Sequence, residues 1–305
     1  MKRSLTICLW ALLLLSTPVA AQVKDHIAAL QTQSAESNTN TWGYWGPDRD
    51  KYSTWTSHSN RLIPAYTFGL TLDPVSGANS LYRDEQRLRS LYGRLPSSTL
   101  NADAEYFDQT DIYRLQKLAA EAGKKRIILF VFDGMDWQTT RAAAIAKTRQ
   151  VGYEEGRGSG LHFQDYRGTT TDFGFFVTSP HNSGTSRNVD RQIVTSPGGK
   201  VPGGYDVSRG GPTPWHTTDD LPYPIGKSET DPHAYTDSAA SATSLCSGIK
   251  TYNDAVNVDF SGREVLPIAR TLQADGYAIG VVTSVQISHA TPACAYANNV
   301  DRNRL

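Results

Sequence analysis

Apolar positions first fall into a helical rhythm at Ile112, Leu115, Leu118 and Ala119, and Gly123 closes that helix. The run Arg126-Ile127-Ile128-Leu129-Phe130-Val131-Phe132 follows. Its nearly unbroken apolar character predicts a strand buried on both faces. Asp133-Gly134 stands at its carboxyl end, and a further helix is expected to start near Trp137. Leu266 to Ala274 reads as another helix, stopped by Gly276, and Ala278-Ile279-Gly280-Val281-Val282-Thr283 as a second buried strand. His289-Ala290-Thr291-Pro292 then opens a helix, with Thr as a cap and Pro near the first helical position. Alternating strand and helix predicts an α/β fold with a mainly parallel sheet. Sites in such sheets lie at the carboxyl ends of the strands, so Asp133, Ser238 and Thr291 are expected to converge.

The rest of the chain is less periodic. Gln22 to about Tyr106 is polar and spotted with Trp42, Tyr44, Trp45, Tyr52 and Trp55, with Ala65 to Leu72 as a strand. Residues 22–110 are read as an extension packing on a core that runs through 111–305. Between Gly184 and His233 nearly a third of residues are Gly or Pro, which marks an insertion at about 184–234. Residues 1–21 read as an export signal: Lys2 and Arg3, an apolar stretch from Thr6 to Leu15, and Val19-Ala20-Ala21 before Gln22. That stretch is short for a membrane span, though an uncleaved anchor is the other reading. The mature chain is expected in a periplasm or outside the cell, with no other segment apolar enough to cross a bilayer.

Lys and Arg number 30 and Asp and Glu number 30, so charge points to no nucleic-acid partner. Cys8 leaves with the signal. Cys246 and Cys294 either pair or stay as buried free thiols.

The chemistry centres on Tyr235-Thr236-Asp237-Ser238-Ala239-Ala240-Ser241-Ala242-Thr243. Asp237 is a good N-cap, and the small residues after it read as a tightly packed helix. Ser238 then sits at a helix N-terminus, where free N–H groups and the dipole favour negative charge. A serine needs a base or a metal to become a nucleophile, and no partner His is signalled nearby. A capped helix packed by Ala and Ser is the plainer reading of those nine residues. The run nevertheless resembles the nucleophile signature of alkaline phosphatases, and the likeness continues through Ser247-Gly248-Ile249-Lys250-Thr251-Tyr252-Asn253. Tyr235 departs from it, where that family has a β-branched aliphatic residue.

The resemblance implies roles for other positions. Asp133, alone a turn residue, looks like the carboxylate that bridges zinc and magnesium. Thr291, alone a cap, looks like the magnesium hydroxyl ligand, and His289 a neighbour that tunes that ion. Arg302, eleven residues after Thr291, looks like the arginine that clamps substrate phosphate, with Asp237 orienting it. The implied fold is a three-layer α/β/α sandwich, incomplete at its C-terminal side. The implied activity is hydrolysis of phosphate monoesters through a phosphoserine at Ser238, with two zinc ions and one magnesium in a complete site. A homodimer is compatible with it. In the family a further group of Asp, Glu and His ligands lies downstream of the arginine, so these 305 residues are expected to be an amino-terminal portion. His162, His181, His216 and His233 show no ligand-like spacing, and Asp219, Asp220 and Asp231 read as solvated loop acids. A non-catalytic phosphate- or metal-binding remnant is the alternative. A phosphodiesterase or sulfatase fits the serine run less well.

Overall fold

The largest sheet has the order β1-β3-β2, where β1 is Leu62–Phe68, β2 Phe107–Asp108 and β3 Thr171–Val177 in a computed structural model of the chain. The structure describes residues 36–37, 60–216, 220, 223 and 234–304. The export signal, the aromatic residues from Trp42 to Trp55, Asp219, Asp231 and His233 lie outside the described residues. The chain divides into units Met1–Ser53 and Thr54–Leu305. In the first, Glu36 and Ser37 are described as helical and exposed.

Strand β1 runs antiparallel to β3 with Leu62 opposite Val177 and Phe68 opposite Thr171, while β2 runs parallel to β3. Pro64 is admissible because β1 is an edge strand and needs no donor on its outer side. Alternate residues enter different cores, as the pleat requires. Leu62 and Val177 join Leu81, Tyr82, Leu88, Tyr92, Tyr106 and Tyr205 on one side. Phe107 and Phe176 join Leu72, Val75 and Leu115 on the other.

The helices that matter for the site follow. α1 is Glu85–Tyr92, α2 Asp111–Glu121, α3 Trp137–Thr148, α4 His162–Asp165 and α5 Val207–Gly210. α6 is Ser238–Ser247, α7 Ile268–Ala274 and α8 Ala290–Ala293. α2 packs on α6 and α7, and α8 packs on α6. Short strands fill the Gly- and Pro-rich excursion: β4 Asn182–Ser183 pairs with β7 Val201–Pro202, and β5 Arg187–Asn188 with β6 Ile193–Val194. The helices expected at 112–123 and near Trp137 are present. The expected strand from Ala65 begins and ends earlier, and the helix expected from Leu266 starts after Pro267.

Two expectations need correction. The runs at 126–132 and 278–283 form no strand among the described residues. Ile128 is 70% exposed, Phe130 75% and Val282 99%. A strand exists only where a neighbouring strand takes its N–H and C=O groups, and no described strand pairs with either run; the Phe132 carbonyl accepts only from the Met135 N–H, three residues on, at 3.0 Å. Their starts are tied by the Tyr277 hydroxyl, which donates to the Lys124 carbonyl at 2.7 Å. Helices and sheets are thus both present, and among the described residues the sheets are small and mixed. Cys246 and Cys294 are free thiols, not a disulfide, and burial pushes the Cys246 thiol up to about 12.

A buried charge cluster locks the end of β2 to the loop after α6. The Lys250 ammonium lies 2.9 Å from Asp108 Oδ2, both side chains being fully buried. The Tyr82 hydroxyl donates to the same oxygen at 2.6 Å. Asp111 Oδ2 accepts from the Asp108 N–H at 3.1 Å, and burial together with the Asp108 charge pushes the Asp111 carboxyl up to about 7. A carboxyl raised on folding binds its proton more tightly in the native state. It therefore favours folding below the ordinary carboxylate range, and that contribution is lost as pH rises toward about 7. Asp111→Asn should flatten the fall in stability across that window, read from urea unfolding at several pH values. An unchanged pH slope would show that Asp111 does not titrate this way.

Candidate active site

The N-terminus of α6 is set by Asp237, whose extended backbone leads into the helix and whose Oδ1 accepts from the Ala240 N–H at 2.8 Å. Gly248 ends the helix at φ 69°, where a Cβ would meet the Tyr113 ring at 2.5 Å. The small residues have a packing reason. Ala239 and Ala242 meet Ala290, Ala293 and Cys294 in one buried cluster, so α8 approaches α6 closely. Asn257, fully buried at φ 46°, fastens the pair. Its side-chain amide donates to the Cys294 and Ala297 carbonyls, each at 2.7 Å, and its Oδ1 accepts from Ser247 at 2.7 Å. Its backbone N–H donates to Thr243 Oγ1 at 2.9 Å.

Several of the expected residues are linked through Asp237, which precedes Ser238 in the chain. The Asp237 carboxylate is nearly fully buried, and its Oδ2 accepts from the Asp254 N–H at 3.0 Å and from Arg302 Nη1 at 3.2 Å. Arg302 Nη2 lies 3.3 Å from His289 Nε2. A guanidinium only donates, so in this contact the His nitrogen is the acceptor. His289 Nδ1 is buried without a partner. The Asp237 N–H donates to Asn253 Oδ1 at 3.1 Å, and Asn253 Nδ2 to the Tyr235 carbonyl at 2.6 Å. Ser238 occupies the first helical position and is half-buried.

A second contact involves Thr291, two residues after His289. The Thr291 hydroxyl donates to Asp133 Oδ2 at 2.8 Å, across 158 residues of chain. The expected cap is shifted: His289 is the N-cap of α8, and Thr291 lies inside its first turn. Asp237, Arg302 and His289 thus form one linked group, with Ser238 next to Asp237 in the chain, and Asp133 with Thr291 another; His289 and Thr291 both lie at the start of α8. Of the histidines and loop acids read as non-ligands, His162, His181, His216 and Asp220 are described. Among the described residues no group of three or more His, Cys, Asp or Glu could hold a metal ion.

The donor set decides which ion fits. Magnesium takes one or two carboxylates and keeps several waters, so the Asp133 carboxylate and Thr291 hydroxyl suit it as a partial site. Zinc in catalytic sites wants three protein ligands, and the described residues do not supply them.

Residues 211–305 match the family model described as alkaline phosphatase. Alkaline phosphatase 4 of Bacillus subtilis is 41% identical over 70 residues, 23% of this chain and 15% of that protein. Alkaline phosphatase 4 of Drosophila melanogaster is 25% identical over 219 residues, 66% of this chain and 28% of that protein. A mutant TAB5 alkaline phosphatase, solved with Mg bound, shares 39% identity over 23% of this chain and 20% of its own, with a TM-score of 0.23. The likeness to alkaline phosphatases is therefore shown for part of the chain, the segment that carries Ser238 and Arg302. The chain spans less than a third of the length of these relatives.

Asp237→Asn keeps an acceptor for the cap but turns an amide NH2 toward the Asp254 N–H and Arg302. Asp and Asn cap equally well, so an ordinary cap would lose nothing. Here urea unfolding should report a loss of about 1–3 kcal/mol from the donors left facing a donor. No change would mean the Oδ2 contacts carry no weight.

Proposed function

We propose that this chain carries the nucleophile and phosphate clamp of an exported, metal-dependent phosphomonoesterase of the alkaline phosphatase type. The observation that supports it most is the placement of Arg302 on Asp237, the cap residue of the helix whose first residue is Ser238. Arg302 binds two phosphate oxygens through its planar fork. Asp237 fixes the plane of that fork, and the positive end of α6 favours the phosphate charge. Ser238 Oγ attacks phosphorus in line: the Oγ–P bond forms, the bond to the leaving oxygen breaks, and the alcohol departs with a proton. Water then cleaves the phosphoserine and releases inorganic phosphate. A divalent ion bound by Asp133 and Thr291 would neutralise phosphate charge nearby. The full α/β/α sandwich with a parallel central sheet is part of the same reading. Export to a periplasm or the outside is supported by the pattern from Lys2 to Ala21.

A second reading, phosphate binding without turnover, is favoured by the lack of a three-ligand zinc group among the described residues. The two are separated by one set of assays on the full chain. Inorganic phosphate should bind, and Arg302→Ala should weaken it on the order of tenfold or more, as loss of a charge-assisted bidentate contact does. With zinc and magnesium at alkaline pH, little p-nitrophenyl phosphate should turn over, and Ser238→Ala should remove any phosphoryl label while leaving the fold intact. Robust turnover with tightly held zinc would contradict the ligand assignment. Phosphate binding indifferent to Arg302→Ala would contradict the clamp.

A further inference from the structure

The residues that hold Asp237 and Arg302 are themselves held from the Gly- and Pro-rich excursion. Arg187, on β5, engages all three of its guanidinium nitrogens. Nε donates to Asp301 Oδ2 at 2.8 Å, Nη2 to Asp254 Oδ2 at 2.6 Å, and Nη1 to the Thr185 carbonyl at 3.2 Å. Both acids lead directly to the clamp. Asp301 precedes Arg302 in the chain. Asp254 donates its N–H to Asp237 Oδ2 at 3.0 Å, and its carbonyl accepts the Arg302 N–H at 2.8 Å. One guanidinium therefore fixes the backbone on both sides of the Asp237–Arg302 pair. A lysine could neutralise these acids but could not bridge them in one plane.

The charges make the same point. Asp237, Asp254 and Asp301 are all mostly withdrawn from water, with Arg187 and Arg302 as the cations among them. Burial and the Asp237 charge push the Asp254 carboxyl up, and Arg187 opposes them. Without Arg187, Arg302 is the remaining cation of the group, and Asp254 and Asp301 compete with Asp237 and with phosphate for it.

We propose that Arg187 is a positioning residue for the phosphate clamp, fixing Arg302 and Asp237 through Asp301 and Asp254. The proposal rests on Arg302 being a phosphate ligand. The alternative is that Arg187 merely anchors the β5–β6 hairpin.

The test is a double-mutant cycle on the full chain with inorganic phosphate as the probe. Arg187→Gln should weaken phosphate on the order of tenfold, and the Arg187→Gln, Arg302→Ala double variant should bind no more weakly than Arg302→Ala alone. If Arg187→Gln does not fold, Arg187→Lys takes its place with the same expectation. Unchanged affinity in the Arg187 variant, or losses that simply add, would overturn the proposal, because a hairpin anchor has no reason to act through Arg302. If Arg302→Ala leaves phosphate binding intact, the clamp reading fails instead. Nitrogen-15 NMR of the Arg302 guanidinium then decides the positioning role. Its Nε–H signal should shift or broaden in the Arg187 variant, and an unchanged signal would refute it.

Discussion

The Asp237 carboxylate is almost wholly out of water and accepts from the Ala240 N–H, the Asp254 N–H and Arg302. A buried carboxylate is costly unless donors replace its lost hydration, and here three separate chain segments supply them. The same group therefore starts α6, fixes the turn at Asp254 and holds the arm that carries Arg302. Moving any of the three leaves a charge or an N–H unpaired. Ser238, next in the chain, has its position set by these constraints as much as by the helix it begins.

The small residues of α6 make a second constraint legible. Ala at 239 and 242 looks featureless as sequence, yet larger side chains there would push α8, which carries Thr291 and follows His289, away from α6. Asn257 shows how such close packing is fastened: one amide serves the Cys294 carbonyl at the end of α8 and the Ala297 carbonyl just past the turn that follows.

What was readable in the sequence was what short-range rules determine. The Asp237 cap, α2 and α3 all follow from residues a few positions apart. The site residues were named through a resemblance, and what the structure adds is the bond of Thr291 to Asp133 and of Arg302 to Asp237. The apolar runs at 126–132 and 278–283 were misjudged because periodicity records a preference for burial, while a strand also needs a neighbour to bond. Arg187 was invisible for a different reason. Its partners lie 67 and 114 positions away, in a stretch whose Gly and Pro content signals only irregular structure. Asn253 entered only as part of the likeness and Asp254 not at all, because their bonds to Asp237, Tyr235 and Arg187 span 16 positions or more.

The central claim is that Arg302, held by Asp237, and Ser238 form one phosphate site. A crystal structure of the full chain soaked with inorganic phosphate tests it most directly. The account predicts phosphate with two oxygens on the Arg302 guanidinium and a third within hydrogen-bond distance of Ser238 Oγ. Phosphate bound elsewhere, with Arg302 still closed on Asp237 and His289, would contradict it.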